Sequence, residues 1–302
     1  MGNLASHSSS SLRRVLLTTT ALAIATPGLA QTPPPAAAAV GYNVRTLGPS
    51  LRLGVNWFPN SWSGNNPRAT GVTQNADGSV NADGSVNIAG GGSNHYNAQL
   101  VTTSPYGPRG CSGLAFGGGG YFEATLSFRN PPAGWGTPAG KDGWPSFWGW
   151  PIEADLGLQT YPWYRLEVDF VEFMTAGSNT QYSTSFIYWT NNMKRSYGSR
   201  EAGIDSTTRV PASDFSKPHK YGFLWVPATA TSQGYGKSFF DGGQVGPTYT
   251  WKVGDPFSTL DPEHLQLTLG TGSANPMTIY SVEVWQKSAA HNMCLSAAIK
   301  AH

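Results

Sequence analysis

Leu166-Glu167-Val168-Asp169-Phe170-Val171-Glu172-Phe173 is the stretch on which the reading of this 302-residue chain turns. Through Phe170 apolar and acidic residues alternate, the period-two pattern of a β-strand with one apolar and one polar face. Glu167 and Asp169 therefore share a face, and Val168 and Phe170 point the other way. Glu172 breaks that parity. A one-residue β-bulge near Phe170-Val171 restores it, and bulges recur beside active sites because they re-aim a side chain. The chain contains only 7 Glu and 10 Asp, so a Glu-x-Asp-x-x-Glu spacing is expected by chance only about 0.005 times. Single acids on the solvent face of a strand are usually solvated and do little. A triplet this improbable needs a chemical reason.

With the bulge counted out, Glu167 and Glu172 lie about 13 Å apart along an extended backbone, so their side chains must lean inward across Asp169. Retaining glycosidases need two carboxyl groups roughly 5–5.5 Å apart, one as nucleophile and one as acid/base. A third carboxyl group between them shares a proton, so that the three do not all ionise together. A calcium site is a weaker reading of the same acids, because one strand supplies too few oxygen ligands without loops.

Outward from this stretch the chain alternates short β-rich runs with Gly, Pro and Asn punctuation. Strands are expected at 121–128, 164–173, 182–189, 220–226, 237–240, 264–269 and 278–286. No capped amphipathic helix is read, except in the last dozen residues. Many short strands with Gly-rich turns imply an all-β sandwich or barrel, here one domain over residues 42–302.

Composition narrows the partners. Charged residues are 12% of the chain, with 19 Lys+Arg against 17 Asp+Glu, and Arg13 and Arg14 lie in a segment that reads as removable. The remainder is near neutral and lacks the basic stripe that nucleic acid or an anionic membrane demands. A neutral polysaccharide fits it better, and 11 Trp supply flat apolar faces for sugar rings. Residues 1–30 read as an export signal, with Arg13-Arg14, an apolar run and Gly28-Leu29-Ala30 before a cleavage site, giving a secreted or periplasmic protein. No apolar run reaches membrane-spanning length. Residues 31–41, rich in Pro and Ala, read as a disordered spacer without chemistry. Asn-Ala-Asp-Gly-Ser-Val occurs at 75–80 and again at 81–86, read as a duplicated hairpin turn. The six histidines are scattered without ligand spacing, so no catalytic metal or other cofactor is expected, structural calcium being the one exception entertained. Gly117 to Gly120 reads as a turn where backbone passes closely, since neither Lys-Ser/Thr nor a helix follows it.

Glu-Val-Asp-Phe-Val-Glu at 167–172 resembles the signature of glycoside hydrolase family 16, the laminarinase, lichenase and agarase group. The likeness extends to Gly120-Tyr121-Phe122-Glu123-Ala124 and to Gly143-Trp144-Pro145-Ser146-Phe147-Trp148 before the signature. After it follow His219-Lys220-Tyr221-Gly222-Phe223-Leu224-Trp225, then Phe239-Phe240-Asp241-Gly242, then Tyr280-Ser281-Val282-Glu283-Val284-Trp285-Gln286. The likeness covers roughly residues 110–287. It implies a concanavalin-A-like jelly roll of two curved antiparallel sheets with a concave substrate cleft. It also implies Glu167 as nucleophile, Asp169 as assisting carboxylate and Glu172 as general acid/base of a retaining endo-glycosidase, acting most commonly on β-1,3- or mixed β-1,3/1,4-glucan. Many members carry a His on the next strand; here the stretch reads Phe186-Ile187-Tyr188-Trp189, and Tyr188 is expected to take the polar role.

Trp148, Trp150, Trp163 and Trp189 are the tryptophans nearest the signature, and Trp148, Trp163, Tyr188 and Trp189 are the expected sugar contacts. Trp144, Trp225 and Trp285 sit in apolar runs and read as core. Cys111 and Cys294 show no metal or redox spacing and, in an exported chain, are a candidate disulfide. A monomer is expected. The competing classes are a lectin on the same sandwich, for which three acids are superfluous, and a transglycosylase, in which an acceptor sugar replaces water.

Overall fold

The computed structural model describes residues 31–49, 51–58, 72–73, 86–88, 99–104, 111–128, 146–156, 158, 164–172, 181–190, 200–209, 214–270 and 277–294. The elements below belong to one compact unit that begins at Pro33. No helix among the described residues is long and apolar enough to cross a membrane. The elements are α1 (Pro35–Ala38), β1 (Val44–Leu47), β2 (Val72–Thr73), β3 (Val86–Ile88), β4 (Gln99–Val101), β5 (Thr103–Ser104) and β6 (Ser112–Gly113). There follow β7 (Phe116–Gly117), β8 (Gly120–Phe128), β9 (Ser146–Pro151), α2 (Ile152–Leu156), β10 (Tyr164–Glu172), β11 (Gln181–Thr190) and β12 (Arg200–Arg209). Last come β13 (His219–Val226), β14 (Gly234–Phe240), β15 (Gly243–Trp251), β16 (His264–Gly270) and β17 (Met277–Gln286), with 3-10 turns at Pro256–Leu260 and Ala289–His291.

Two large sheets result, and the pairings within them are antiparallel. The first runs β15-β14-β13-β8-β17-β3-β2, with β1 also on β17; the second runs β12-β11-β10-β9-β16-β4, with β7 also on β16. Period-two patterning explains how they stack. In β16 Leu265, Leu267 and Leu269 are wholly buried, as are Phe122, Ala124 and Leu126 in β8, and all six lie in one core between the sheets. Each fully buried Leu or Phe contributes roughly 1.5–3 kcal/mol of transfer free energy. Each of the seven expected strands is present within three residues at either end.

Two of the strands not read from sequence share a cause. β12 is polar apart from Ala202, Gly203 and Ile204, β15 carries Gly246 and Pro247, and both are edge strands. An edge strand has little apolar patterning to betray it and commonly carries Pro. The duplicated six-residue unit falls between β2 and β3, which pair antiparallel through Val72↔Ile88 and Thr73↔Asn87; residues 75–85 lie outside the described ones.

Residues 31–41 depart from the spacer expectation. Residues 35–38 form a helical turn, Ala37 is wholly buried, and Ala37 and Tyr42 pack with Tyr121, Leu224, Phe239 and Trp285 on the outer face of the first sheet. Small Ala side chains let a chain lie close to an aromatic surface, an effect that composition alone reads as spacer. Tyr42 donates its hydroxyl proton to the Trp225 carbonyl at 2.9 Å, and burial pushes its pKa well up. Gly119 permits this crossing: with φ +83°, a Cβ there would lie 2.3 Å from the Tyr42 hydroxyl. Gln286 holds the same glycine turn, donating Nε2 to the carbonyls of Gly117 at 2.8 Å and Gly119 at 3.0 Å. Cys111 and Cys294 are joined by a disulfide across 183 residues of sequence.

Candidate active site

β10 takes its orientation from its apolar residues. Val168, Phe170 and Val171 are all buried in the core, so two consecutive residues, 170 and 171, point inward. The ladders register the irregularity from both sides. Against β9, Asp169 pairs with Trp148 and Val171 with Phe147, leaving Phe170 extra. Against β11, Asp169 pairs with Ser185 and Glu172 with Ser183. The bulge sits at the expected Phe170-Val171 step. Backbone parity thus returns position 172 to the face that carries Glu167 and Asp169; the side chain of Glu172 lies outside the described ones.

Phe170 locks the bulge. Its ring stacks on Phe122 at 5.3 Å and on Phe223 at 5.0 Å between centroids, and meets Phe147 edge-on at 4.7 Å. Gly149, opposite Val168 in the ladder, leaves room for that ring: a Cβ there would lie 3.1 Å from Phe170 Cζ and 3.3 Å from Leu265 Cδ1. The Trp148-Gly149-Trp150 order therefore serves both faces, with glycine toward the core and indoles away from it.

On the face turned from the core, Glu167 is half-buried and Asp169 is buried at 1% exposure. Across the strands Asp169 is level with Trp148 of β9, which is level with Thr268 of β16. Trp148 is half-buried and meets buried Trp150 edge-on at 5.9 Å and 88°. Trp163 and Trp144 lie outside the described residues. The register separates the two β11 candidates. Position 189 is opposite Arg165, on the face of Glu167, whereas position 188 is opposite Leu166, on the face of Val168. Position 188 thus shares the backbone face of Val168; the side chain of Tyr188 lies outside the described ones. The strand period imposes this, since adjacent residues never share a face without a bulge. Trp225 and Trp285 are buried, Trp225 in the main core and Trp285 under the N-terminal segment.

A second polar group on this side of the sheet escaped the sequence reading. α2 follows directly on β9 and carries Glu153 and Asp155 in its first turn, where acids favour the positive end of a helix. Glu153 Oε2 accepts from the His264 backbone N–H at 3.0 Å, and its Oε1 lies 2.5 Å from His264 Nδ1. Gln266 donates Nε2 to Asp155 Oδ2 and accepts at Oε1 from Thr103 Oγ1 at 2.5 Å. The signal available in sequence was Glu153-x-Asp155 immediately after an aromatic strand. Among the described residues no group of three or more His, Cys, Asp and Glu side chains is arranged to hold a metal ion.

The sequence matches no protein-family model and no curated protein. Solved structures do share its architecture. An endo-1,3-β-glucanase from Streptomyces sioyaensis superposes with a TM-score of 0.53 at 15% identity, covering 81% of this chain and 96% of that one. An endo-acting O-glycanase, from a set that prominent human gut microbiota express to initiate mucin breakdown, gives 0.51 at 13% identity, covering 82% and 98%. At such identities the likeness speaks for the fold, and the fold of this chain is the jelly-roll β-sandwich that these glycan-cleaving proteins share.

Proposed function

We propose that this protein is a retaining glycoside hydrolase that cuts internal β-linkages of a neutral polysaccharide, with β-1,3- or mixed β-1,3/1,4-glucan as first choice. Glu167 attacks the anomeric carbon while Glu172 gives its proton to the leaving oxygen, forming a glycosyl-enzyme. Glu172, now a carboxylate, takes a proton from water, which attacks the same carbon and frees Glu167. Asp169 lies between them and shares a proton with its neighbours, keeping the three from ionising together. The observation that carries the reading is the bulge at Phe170-Val171, which returns position 172 to the face of Glu167 and Asp169. Core packing of Phe170 and Val171 holds the bulge, and its consequence is that positions 167, 169 and 172 share one face. The jelly-roll sandwich shared with the Streptomyces endo-1,3-β-glucanase supports the substrate class by analogy. Export after cleavage near Ala30 and action as a monomer without a metal belong to the same reading.

Reducing-sugar release from laminarin, barley β-glucan, agarose and xyloglucan tests it, with Glu167→Gln and Glu172→Gln beside the parent. Release from one substrate, abolished in both variants, is the expected result. Glycan binding without release, equal in all three folded proteins, would make the protein a lectin.

A further inference from the structure

We propose that α2 ends the sugar-binding face at β9, so that the polysaccharide lies over β9–β12 and leaves the sheet before β16. The inference rests on the glycosidase reading and adds to it which side of the cleft holds substrate. A sugar-binding surface needs polar groups with unused hydrogen-bonding capacity and accessible aromatic faces. β16 turns His264, Gln266 and Thr268 away from the core, since Leu265, Leu267 and Leu269 alternate with them into it. On an open cleft these three would meet the sugar.

Instead α2 occupies two of them. Carboxylates two residues apart on the helix, Glu153 and Asp155, engage residues two apart on the strand, His264 and Gln266. Both ends of the Gln266 amide are taken, by Asp155 and by Thr103. Gln266 is only 2% exposed and Thr268 3%, and on β4 Val101 and Gln99 are buried as well. By contrast Trp148 on β9 and Glu167 on β10 are half-buried rather than buried. The tether is short: Ile152 of α2 follows Pro151, the last residue of β9, and is itself wholly buried with Ala115 and the Cys111–Cys294 disulfide. The helix is therefore a fixed wall beside the Trp148–Trp150 pair rather than a loop resting there.

A chain that loses its contacts past β9 has few subsites on that side of the scissile bond. Short oligosaccharides are then cut mainly near one end, because binding is gained only on the other side, while a polymer, which runs off the sheet there, is still cut internally. Digestion of reducing-end-labelled oligosaccharides of increasing length reads this, using fragments of whichever of the four polysaccharides the enzyme degrades. The expected result is that one of the two products stays predominantly short from every substrate. Asp155→Ala and Asp155→Asn, each first verified as folded by its thermal transition, are expected to add longer products on that side, Asn the less because it still accepts a hydrogen bond. A parent whose two products both lengthen with the substrate overturns the inference, as does a folded Asp155→Ala variant with the parent's product pattern. In either case activity lost in Glu167→Gln leaves the glycosidase reading standing. A folded parent that cleaves none of the four removes that reading and this inference with it.

Discussion

Phe170 lies nearly parallel to Phe122 of the facing sheet, at 15° and 5.3 Å between centroids, although its predecessor Asp169 belongs to the opposite face of the same strand. The inward pull on Phe170 and Val171 together is what shifts position 172 back beside the other acids. Truncating Phe170 to Ala should cost about 3–5 kcal/mol, as for other fully buried aromatic side chains. Phe170→Leu should cost less and still fill most of the site. Urea unfolding and reducing-sugar assays on the Leu variant separate the two roles: a bulge that only stabilises the core leaves kcat intact, whereas one that aligns the carboxylates loses activity along with the ring.

Trp148 and Trp150 lie on the same face and touch edge-on, yet only Trp148 is accessible, Trp150 being 4% exposed. Trp148→Ala should raise KM about tenfold, on the order of 1–1.5 kcal/mol for a lost aromatic contact, with a small change in unfolding free energy. Trp150→Ala should do the reverse at first order, losing about 3 kcal/mol of stability for a buried indole. Steady-state kinetics and thermal melts on both variants distinguish the platform from its support. Equal KM values in parent and Trp148→Ala would place the sugar elsewhere.

The parts legible in the sequence were those written in periodicity. The alternation of β8, β13, β16 and β17 announced a sandwich, and the broken parity at Glu172 announced a bulge whose position the ladders match. What escaped were features that depend on which elements become neighbours. The largely polar strand β12 is defined by its pairing with β11 rather than by its own pattern. Glu153 and Asp155 are unremarkable acids until Gln266 and His264 arrive beside them from 111 residues away.

Cys111 and Cys294 tie the segment before β6 to the last described residues, where Ala115 and Met293 exchange backbone hydrogen bonds at 3.3 and 2.9 Å. Closing a loop of 183 residues should stabilise by about 3–5 kcal/mol, chiefly by restricting the unfolded chain. Replacing both by Ser should therefore lower Tm by about 10 °C, at roughly 2–4 °C per kcal/mol for a domain of this size. The same effect should follow from a thiol reductant in the parent and vanish in the double variant. Because Ile152 of α2 packs in the same cluster, hydrogen exchange in 152–156 should quicken on reduction.

Asp261 gathers three donors: the indole N–H of Trp225 at 3.1 Å, that of Trp251 at 3.0 Å and the backbone N–H of Ala228 at 2.9 Å. It thereby links β13, β15 and the 3-10 turn that precedes it. Burial nonetheless holds its carboxyl above the usual carboxylate range, the three donors offsetting only part of that effect. An acid whose pKa is higher folded than unfolded keeps its proton better in the folded state. Its contribution to stability is then complete below the unfolded value, about 4, and is lost as pH rises through the folded one. Asp261→Asn keeps one acceptor oxygen and turns an N–H toward a donor, which should cost about 2 kcal/mol. The variant has no proton to lose across that window, so its deficit relative to the parent should be widest near pH 4 and narrow toward neutrality. Urea unfolding of both proteins at stepped pH measures the gap. A gap that widened with rising pH would mean that the ionised carboxylate, held by its three donors, is the stabilising form and that burial is the lesser influence.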